Sequence, residues 1–216
     1  EPARVGPLRG RYTQQVQDDD QNAELKAFRD NSQTAFLYKY VFDAQGKAAV
    51  GLKMKHDELM LPQFAETREA IRRDTDIKII HLSRENLFQR YVSWWIANKV
   101  TKKTEIHSEQ DRPEIPQFTI PVKDCHVDFD RTSARYAFFQ KLFAKHQILN
   151  VSYEQLAGDQ KAATLDKIQA FLGVEKQELS SRLKKVVTKD MRSIVANYDE
   201  LAAHFANTPY AQFFGG

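Results

Sequence analysis

Two apolar segments of strand-like composition cover residues 76–83 and 147–153. A helical pattern follows the first segment directly and the second from residue 160. A third segment, 47–54, follows a Gln-Gly turn signal and is also expected to be a strand. Apolar residues at helical spacing predict helices over 22–31, 57–73 with an interruption near Pro62, 84–97, 130–146 and 160–172.

The other segments give weaker signals. Residues 35–42 are apolar and of undetermined type, and residues 101–121 carry three prolines and indicate a long loop. That loop is either a lid over a substrate or a plain connection. The last 40 residues are expected to be helical, with a basic stretch at 182–192. Strands that alternate with helices indicate an α/β fold with a parallel, doubly wound sheet.

Composition limits the class of protein. The chain has 216 residues, of which 42% are hydrophobic and 28% charged, so a single domain over 1–216 is expected. Its 32 basic and 29 acidic residues are interleaved, and we expect no nucleic-acid partner. No apolar run approaches the ~20 residues of a membrane span. A single cysteine, Cys125, excludes an internal disulfide and fits a cytoplasmic location.

The turn after the strand at 76–83 carries the strongest chemical signal. Ser83 and Arg84 end the strand, and a helix with Ser93 follows. A cation and the free N–H groups of a helix start at the carboxyl end of a strand are typical of phosphate sites in α/β proteins. The alternatives are a structural ion pair for Arg84 and an ordinary helix-face serine for Ser93.

Four segments in order resemble the sulfotransferase family. Residues 84–93 are similar to its clamp for the 3'-phosphate of PAPS (3'-phosphoadenosine 5'-phosphosulfate). Residues 148–159 and 165–174 resemble its strand, Tyr-Glu-x-Leu turn and Phe-Leu-Gly helix. Residues 194–201, with 208–210, resemble the C-terminal signature of bacterial members. The resemblance implies a sulfotransferase of bacterial type with PAPS as co-substrate, PAP (3'-phosphoadenosine 5'-phosphate) as product and no metal requirement.

The resemblance also implies roles for individual residues. Arg84 and Ser93 would hold the 3'-phosphate, and Tyr153 would contact the adenine. A basic residue of the 182–192 stretch, Lys189 or Arg192, would close over the nucleotide. Glu1 stands where several branches of the family have their catalytic carboxylate, although a chain terminus is often simply frayed.

One part of the family pattern is missing. Members have an early strand and a loop of the type Pro-Arg-Ser-Gly-Thr that binds the 5'-phosphosulfate, and none of the eight glycines here lies in such a loop. The expected fold is therefore a three-layer, P-loop-NTPase-like parallel sheet flanked by helices, incomplete at the N-terminus by roughly 40 residues. No Walker-type Gly-x-x-x-x-Gly-Lys-Ser is present either, which argues against a kinase relative.

Two further groups of residues are weaker candidates. Lys53 and His56 follow each other closely and could face a reaction centre, but a solvated strand end is the preferred interpretation. Cys125 and His126 lie among aspartates, yet their spacing matches no metal-ligand pattern, so no metal site is predicted.

The sequence thus predicts transfer of a sulfuryl group from PAPS to a hydroxyl of a small-molecule or carbohydrate acceptor (saccharide, glycolipid or other metabolite). The alternative is a non-catalytic module that binds a nucleotide or phosphate, or a partner protein. An apolar surface exposed by the missing strand would favour a homodimer.

Overall fold

The computed structural model describes residues 19–104, 106–180 and 185–215. They form an α/β structure with many helices and a small parallel sheet. The helices and strands described are α1 (Asp19–Asn31), α2 (Gln33–Phe36), α3 (His56–Met60), α4 (Ala65–Arg73), β1 (Ile79–Ser83), α5 (Leu87–Trp95), α6 (Val122–Leu142), β2 (Ile148–Ser152), α7 (Tyr153–Ala157), α8 (Lys161–Leu172), α9 (Met191–Ile194) and α10 (Tyr198–Phe205). Short π-helical or 3-10 turns occupy Leu37–Val41, Pro62–Phe64, Ile96–Val100, Glu109–Asp111 and Ala211–Phe213.

The sheet confirms two of the three predicted strands. β1 and β2 are neighbours, and the Ile79 N–H donates to the Gln147 carbonyl at 2.9 Å. The His81 ring nitrogen lies 3.2 Å from the Asn150 side-chain oxygen further along the pair. Because the strands are parallel, both carboxyl ends lie at the same edge of the sheet. The turns that follow β1 and β2 are thereby brought side by side.

The strand predicted over residues 47–54 is wrong. This segment is irregular in the structure. Its alternating apolar residues Leu52 and Met54 pack against a cluster made mostly of helical residues, including Leu59 and Phe139. The two-residue period therefore reflects burial of one side of an extended segment, without the backbone pairing that defines a strand.

Two helix boundaries also differ from the sequence prediction. α6 begins at Val122, eight residues before the expected start, because the Pro121 carbonyl accepts the first N–H groups of the helix, from Asp124 and Cys125. In the basic stretch, the residues described before Met191 are not helical. The helix predicted over 160–172 agrees with α8, which ends at Leu172 because Gly173 adopts a φ of 74°. None of the described helices combines the length and apolar character that crossing a bilayer requires.

The described residues fall into two compact units. The first comprises residues up to Ile80 together with Phe139–Leu149 and Lys167–Glu175. The second comprises His81–Phe138, Asn150–Asp166 and the described residues from 176 onward. The buried core of the first unit consists of Phe36, Leu37, Val41, Leu59, Ile71, Phe139 and Phe143. The single domain expected over 1–216 stays a prediction.

The core of the second unit is aromatic at its centre. Phe129 of α6 is fully buried, and its ring centroid lies 5.2 Å from those of both Phe205 and Tyr210. The Phe205 ring in turn stacks on Phe214 at 5.3 Å. Edge-to-face and offset pairs of this kind contribute beyond the burial of apolar area. Phe129 therefore joins α6 to α10 and to the last residues of the chain.

Replacement of Phe129 by alanine should lower the free energy of unfolding by about 3–5 kcal/mol. The change leaves a cavity that the surrounding aromatic rings cannot move to fill. Phe138 on the same helix is the matched control, since 42% of it is exposed and its replacement should cost well under half as much. Urea denaturation of both variants measures the difference. Equal losses would show that the aromatic cluster is not the centre of this core.

Candidate anion-binding site

The turn between β1 and α5 is fixed by Asn86. Its side-chain oxygen accepts the Gln89 N–H at 2.9 Å, which is the expected geometry of a helix N-cap. Its side-chain nitrogen donates to the Phe213 carbonyl at 3.1 Å. Asn86 thus caps α5 and also bonds the start of that helix to the C-terminal turn. The short segment between β1 and α5 is therefore held by the strand at one end and by Asn86 at the other.

Arg84 lies in this turn with its guanidinium over an aromatic ring. The guanidinium carbon is 3.4 Å from the Tyr153 ring centroid, and the Arg84 N–H donates to the Tyr136 hydroxyl at 3.2 Å. About a quarter of the side chain is exposed. Burial lowers the pKa of the guanidinium, with smaller opposing effects from Tyr153 and Glu154. An arginine nevertheless keeps its proton at neutral pH, so the turn presents a permanent cation.

Tyr153 is positioned by the end of β2. Ser152 ends the strand and caps α7: its hydroxyl accepts the Gln155 N–H at 3.1 Å, while the Gln155 side chain accepts the Ser152 N–H at 2.9 Å. This reciprocal capping box fixes the first turn of α7. Tyr153 is the first residue of that helix. The two parallel strands therefore deliver Arg84 and Tyr153 to the same edge of the sheet.

Glu154 supplies a carboxylate to the donors of this turn. One carboxylate oxygen accepts the Glu85 N–H at 3.0 Å, and the other lies 3.9 Å from an Arg84 guanidinium nitrogen. That second oxygen is buried and has no hydrogen-bond partner in the part of the chain described. A cation and a backbone N–H just before a helix are components of an anion site, and the Glu154 carboxylate lies at both of them. Here the anion is part of the protein.

Ser93 is on α5 and bonds to its own helix. Its hydroxyl donates to the Gln89 carbonyl at 2.8 Å, four residues earlier. Such bonds satisfy the hydroxyl proton locally and leave its lone pairs as acceptors. The structure therefore brings Arg84 and Tyr153 into direct contact, while Ser93 would have to exchange its donor bond before it could donate to a ligand.

The remaining residues predicted for the nucleotide site have other surroundings. Arg192 forms an ion pair with Asp199 at 2.7 Å and lies over the Tyr198 ring at 4.3 Å. Lys189 is exposed. Glu1, the predicted base, lies outside the described residues. The roles of all three stay predictions.

The weaker candidates have local structural explanations. Cys125 is fully buried in the aromatic core, and burial raises the pKa of its thiol to about 12. His56 begins α3 and packs its ring 4.6 Å from that of Phe139, while Lys53 is exposed. Within the described ranges, no group of three or more His, Cys, Asp or Glu side chains is arranged to hold a metal ion.

Comparison with known proteins identifies the family to which the chain belongs. A family model described as a sulfotransferase domain matches residues 13–212. The chain belongs to this family, and the resemblance found in the sequence is confirmed. The matched range includes Arg84, Ser93 and Tyr153.

The similar curated proteins are nodulation proteins H of rhizobia. The chain is 28% identical to that of Rhizobium meliloti strain 1021 over 203 residues, which are 90% of this chain and 78% of that protein. A second Rhizobium meliloti protein is 29% identical over 71% of this chain and 63% of its own length. The Rhizobium tropici protein is 30% identical over 48% of this chain and 42% of its own length. No solved structure matches the chain significantly.

Sequence reasoning missed two residues that shape the site. Glu154 stands beside Tyr153 in the Tyr-Glu-x-Leu motif, but its contact with the turn at Glu85 spans 69 positions. Tyr136, which holds the Arg84 backbone, lies on a helix that was recognised only by its apolar period. The motif drew attention to the segment carrying Glu154; no sequence signal pointed to Tyr136.

Replacement of Asn86 by alanine should lower the free energy of unfolding by about 1–2 kcal/mol, because the α5 cap is lost and the Phe213 carbonyl loses a donor. Asn98 is the control: it is exposed and bonds only within its own helical segment, so Asn98→Ala should change the value by no more than about 0.5 kcal/mol. Urea denaturation measures both. An Asn86→Ala variant as stable as the control would contradict the proposed anchoring of the turn.

Proposed function

We propose that the protein transfers a sulfuryl group from PAPS to a hydroxyl of a small-molecule or carbohydrate acceptor. Membership of the sulfotransferase family supports the transfer. The donor and the acceptor class rest on the family pattern and on the chemistry of the site. Arg84 and Ser93 hold the 3'-phosphate of the nucleotide, and Tyr153 contacts the adenine.

The observation that carries the proposal is the contact of Arg84 with Tyr153, at the edge where β1 and β2 both end. A guanidinium fork binds phosphate oxygens through two parallel N–H bonds. The turn before α5 adds a backbone donor, the Glu85 N–H, which already donates to the Glu154 carboxylate. An aromatic face beside a fixed cation suits a ligand that joins a purine to a phosphate.

The reaction is an in-line displacement at sulfur. The acceptor oxygen forms a bond to sulfur as the bond between sulfur and the bridging phosphate oxygen breaks, and PAP leaves with that oxygen. The acceptor proton passes to a base, for which we propose Glu1. Cations and N–H donors stabilise the charge that develops on the leaving phosphate. Lys189 or Arg192 would close over the nucleotide, Arg192 by releasing Asp199.

A second candidate function is nucleotide binding without transfer. Arg84 and Tyr153 would suffice for binding an anionic nucleotide, whereas the base and the loop for the 5'-phosphosulfate are not among the described features. The two functions differ in one observable: only the enzyme moves labelled sulfate from PAPS to an acceptor. A panel of saccharides and glycolipids with radiolabelled PAPS therefore separates them.

Calorimetric titration with PAP tests the 3'-phosphate clamp. The chain should bind PAP more tightly than AMP, because AMP lacks the 3'-phosphate. Arg84→Ala should weaken PAP binding about 10–100-fold, the loss expected for a charge-assisted bond to phosphate. AMP binding should change much less.

Arg131→Ala is the matched control. This arginine lies exposed on α6, and its replacement lowers the net charge by the same amount as Arg84→Ala. PAP binding should be nearly unaffected by this change. If Arg84→Ala binds PAP as the unmodified chain does, or if PAP and AMP bind equally, the clamp is wrong and Arg84 has a structural role only.

Glu154 is expected to compete with the bound phosphate. Its carboxylate occupies the Glu85 N–H and faces Arg84, so a 3'-phosphate must displace it or accept a like charge nearby. The Glu154→Gln replacement keeps the shape of the side chain, and its amide oxygen can still accept the hydrogen bond from the Glu85 N–H. It should tighten PAP binding by about 1–2 kcal/mol, roughly 5–30-fold. The same titration against PAP and AMP measures this.

Glu114→Gln, at an exposed position of the same unit, controls for the change in net charge. It should leave PAP affinity almost unchanged. Weaker PAP binding by Glu154→Gln would mean that the carboxylate orients Arg84 for the ligand and does not compete with it.

A further inference from the structure

A pair of histidines lies close together on α6 and α10. The Nδ1 atom of His126 is 3.4 Å from the Nε2 atom of His204. The two positions are 78 residues apart, so no ligand spacing in the sequence reveals the pair. Neither residue belongs to the anion-binding turn. Both side chains reach solvent, since His204 is exposed and His126 is 40% exposed.

The separation of the two nitrogens matches the bite of a divalent metal ion. Imidazole nitrogens bind zinc at about 2.0–2.1 Å, and two ligands of one tetrahedral ion are then roughly 3.4 Å apart. A direct hydrogen bond between the rings is the alternative, but 3.4 Å is long for one. Small rotations of the two rings would bring both lone pairs onto one ion.

The other nitrogen of His126 faces a carboxylate. Its Nε2 atom is 3.7 Å from Asp130 one turn further along α6, and the Tyr210 hydroxyl donates to the same carboxylate at 2.5 Å. Metal-binding histidines usually present their second ring nitrogen to a carboxylate, which fixes the tautomer and the ring orientation. Asp130 and Tyr210 are arranged to do this for His126.

Aromatic rings hold both imidazoles in place. The His126 ring centroid lies 5.3 Å from that of Phe205 and 6.0 Å from that of Tyr210. The His204 centroid lies 4.8 Å from that of Phe205. Because Phe205 is fully buried, the two histidines share a rigid support. Their approach is thus built into the core that joins α6 to α10.

We propose that His126 and His204 bind one divalent transition-metal ion of the zinc type. Water molecules complete the coordination of this ion. The described residues supply two protein ligands here, which agrees with the absence of any larger ligand cluster among them. Open positions and two imidazoles favour Zn²⁺, Ni²⁺ or Cu²⁺ over Mg²⁺ or Ca²⁺. The ion fastens α10 and the following turn to α6 and takes no part in sulfuryl transfer.

Titration of the chain with ZnCl₂ in a non-chelating buffer tests the site. We expect one saturable site, and a melting temperature that rises with zinc because the ion binds only the folded pair. His126→Gln and His204→Gln should each weaken zinc binding at least tenfold and remove the thermal shift. Asp130→Asn should weaken it about tenfold through loss of the oriented ring nitrogen.

His107→Gln is the control, because this histidine is exposed and lies outside the pair. It should bind zinc as the unmodified chain does. Co²⁺ in place of zinc gives a second readout, an absorption band from nitrogen ligands that disappears in both pair variants. The proposal is overturned if the folded chain shows no saturable zinc binding, or if both pair variants bind zinc as tightly as His107→Gln.

Discussion

The contact between the Arg84 guanidinium and the Tyr153 ring is the interaction on which the site depends. It forms because two parallel strands end at the same edge and each passes directly into a capped helix. The ring restricts the position of the guanidinium, and Glu154 partly neutralises its charge. A cation held in this way needs little further ordering when an anionic ligand arrives, and so more of the interaction energy appears as affinity.

The sequence predicted this edge of the fold better than the rest. A continuous apolar strand followed at once by an amphipathic helix leaves little freedom, and β1 with α5 was found in this way. The strand β2 was found as well, but the short helix α7 was expected only as a turn. The segment 47–54 failed because period-2 burial is also produced by an extended chain lying on a cluster of helical side chains. α6 was placed too late because Pro121 and the aspartates after it suggested a loop, whereas the proline carbonyl accepts the first bonds of the helix.

The site residues also fall into two groups, those that the sequence predicted and those that it missed. Arg84 and Tyr153 are near strand ends, where local pattern and position coincide, and they are in contact. Glu154 and Tyr136 act through space over 52 to 69 positions, and hydrophobic period carries no information about such pairs. The histidine pair belongs with them: its two members are unremarkable in sequence, and only the packing of α10 on α6 makes them neighbours.

The bond from Asn86 to the Phe213 carbonyl has a consequence for how the chain can be handled. It makes the turn at Ala211–Phe213 a structural support of the segment that carries Arg84, although 127 positions separate the two partners. Proteolytic cleavage near Phe213 should therefore perturb the turn that carries Arg84. Under the proposed function, order in Ala211–Phe213 and nucleotide binding at Arg84 are thermodynamically linked, and stabilising one favours the other.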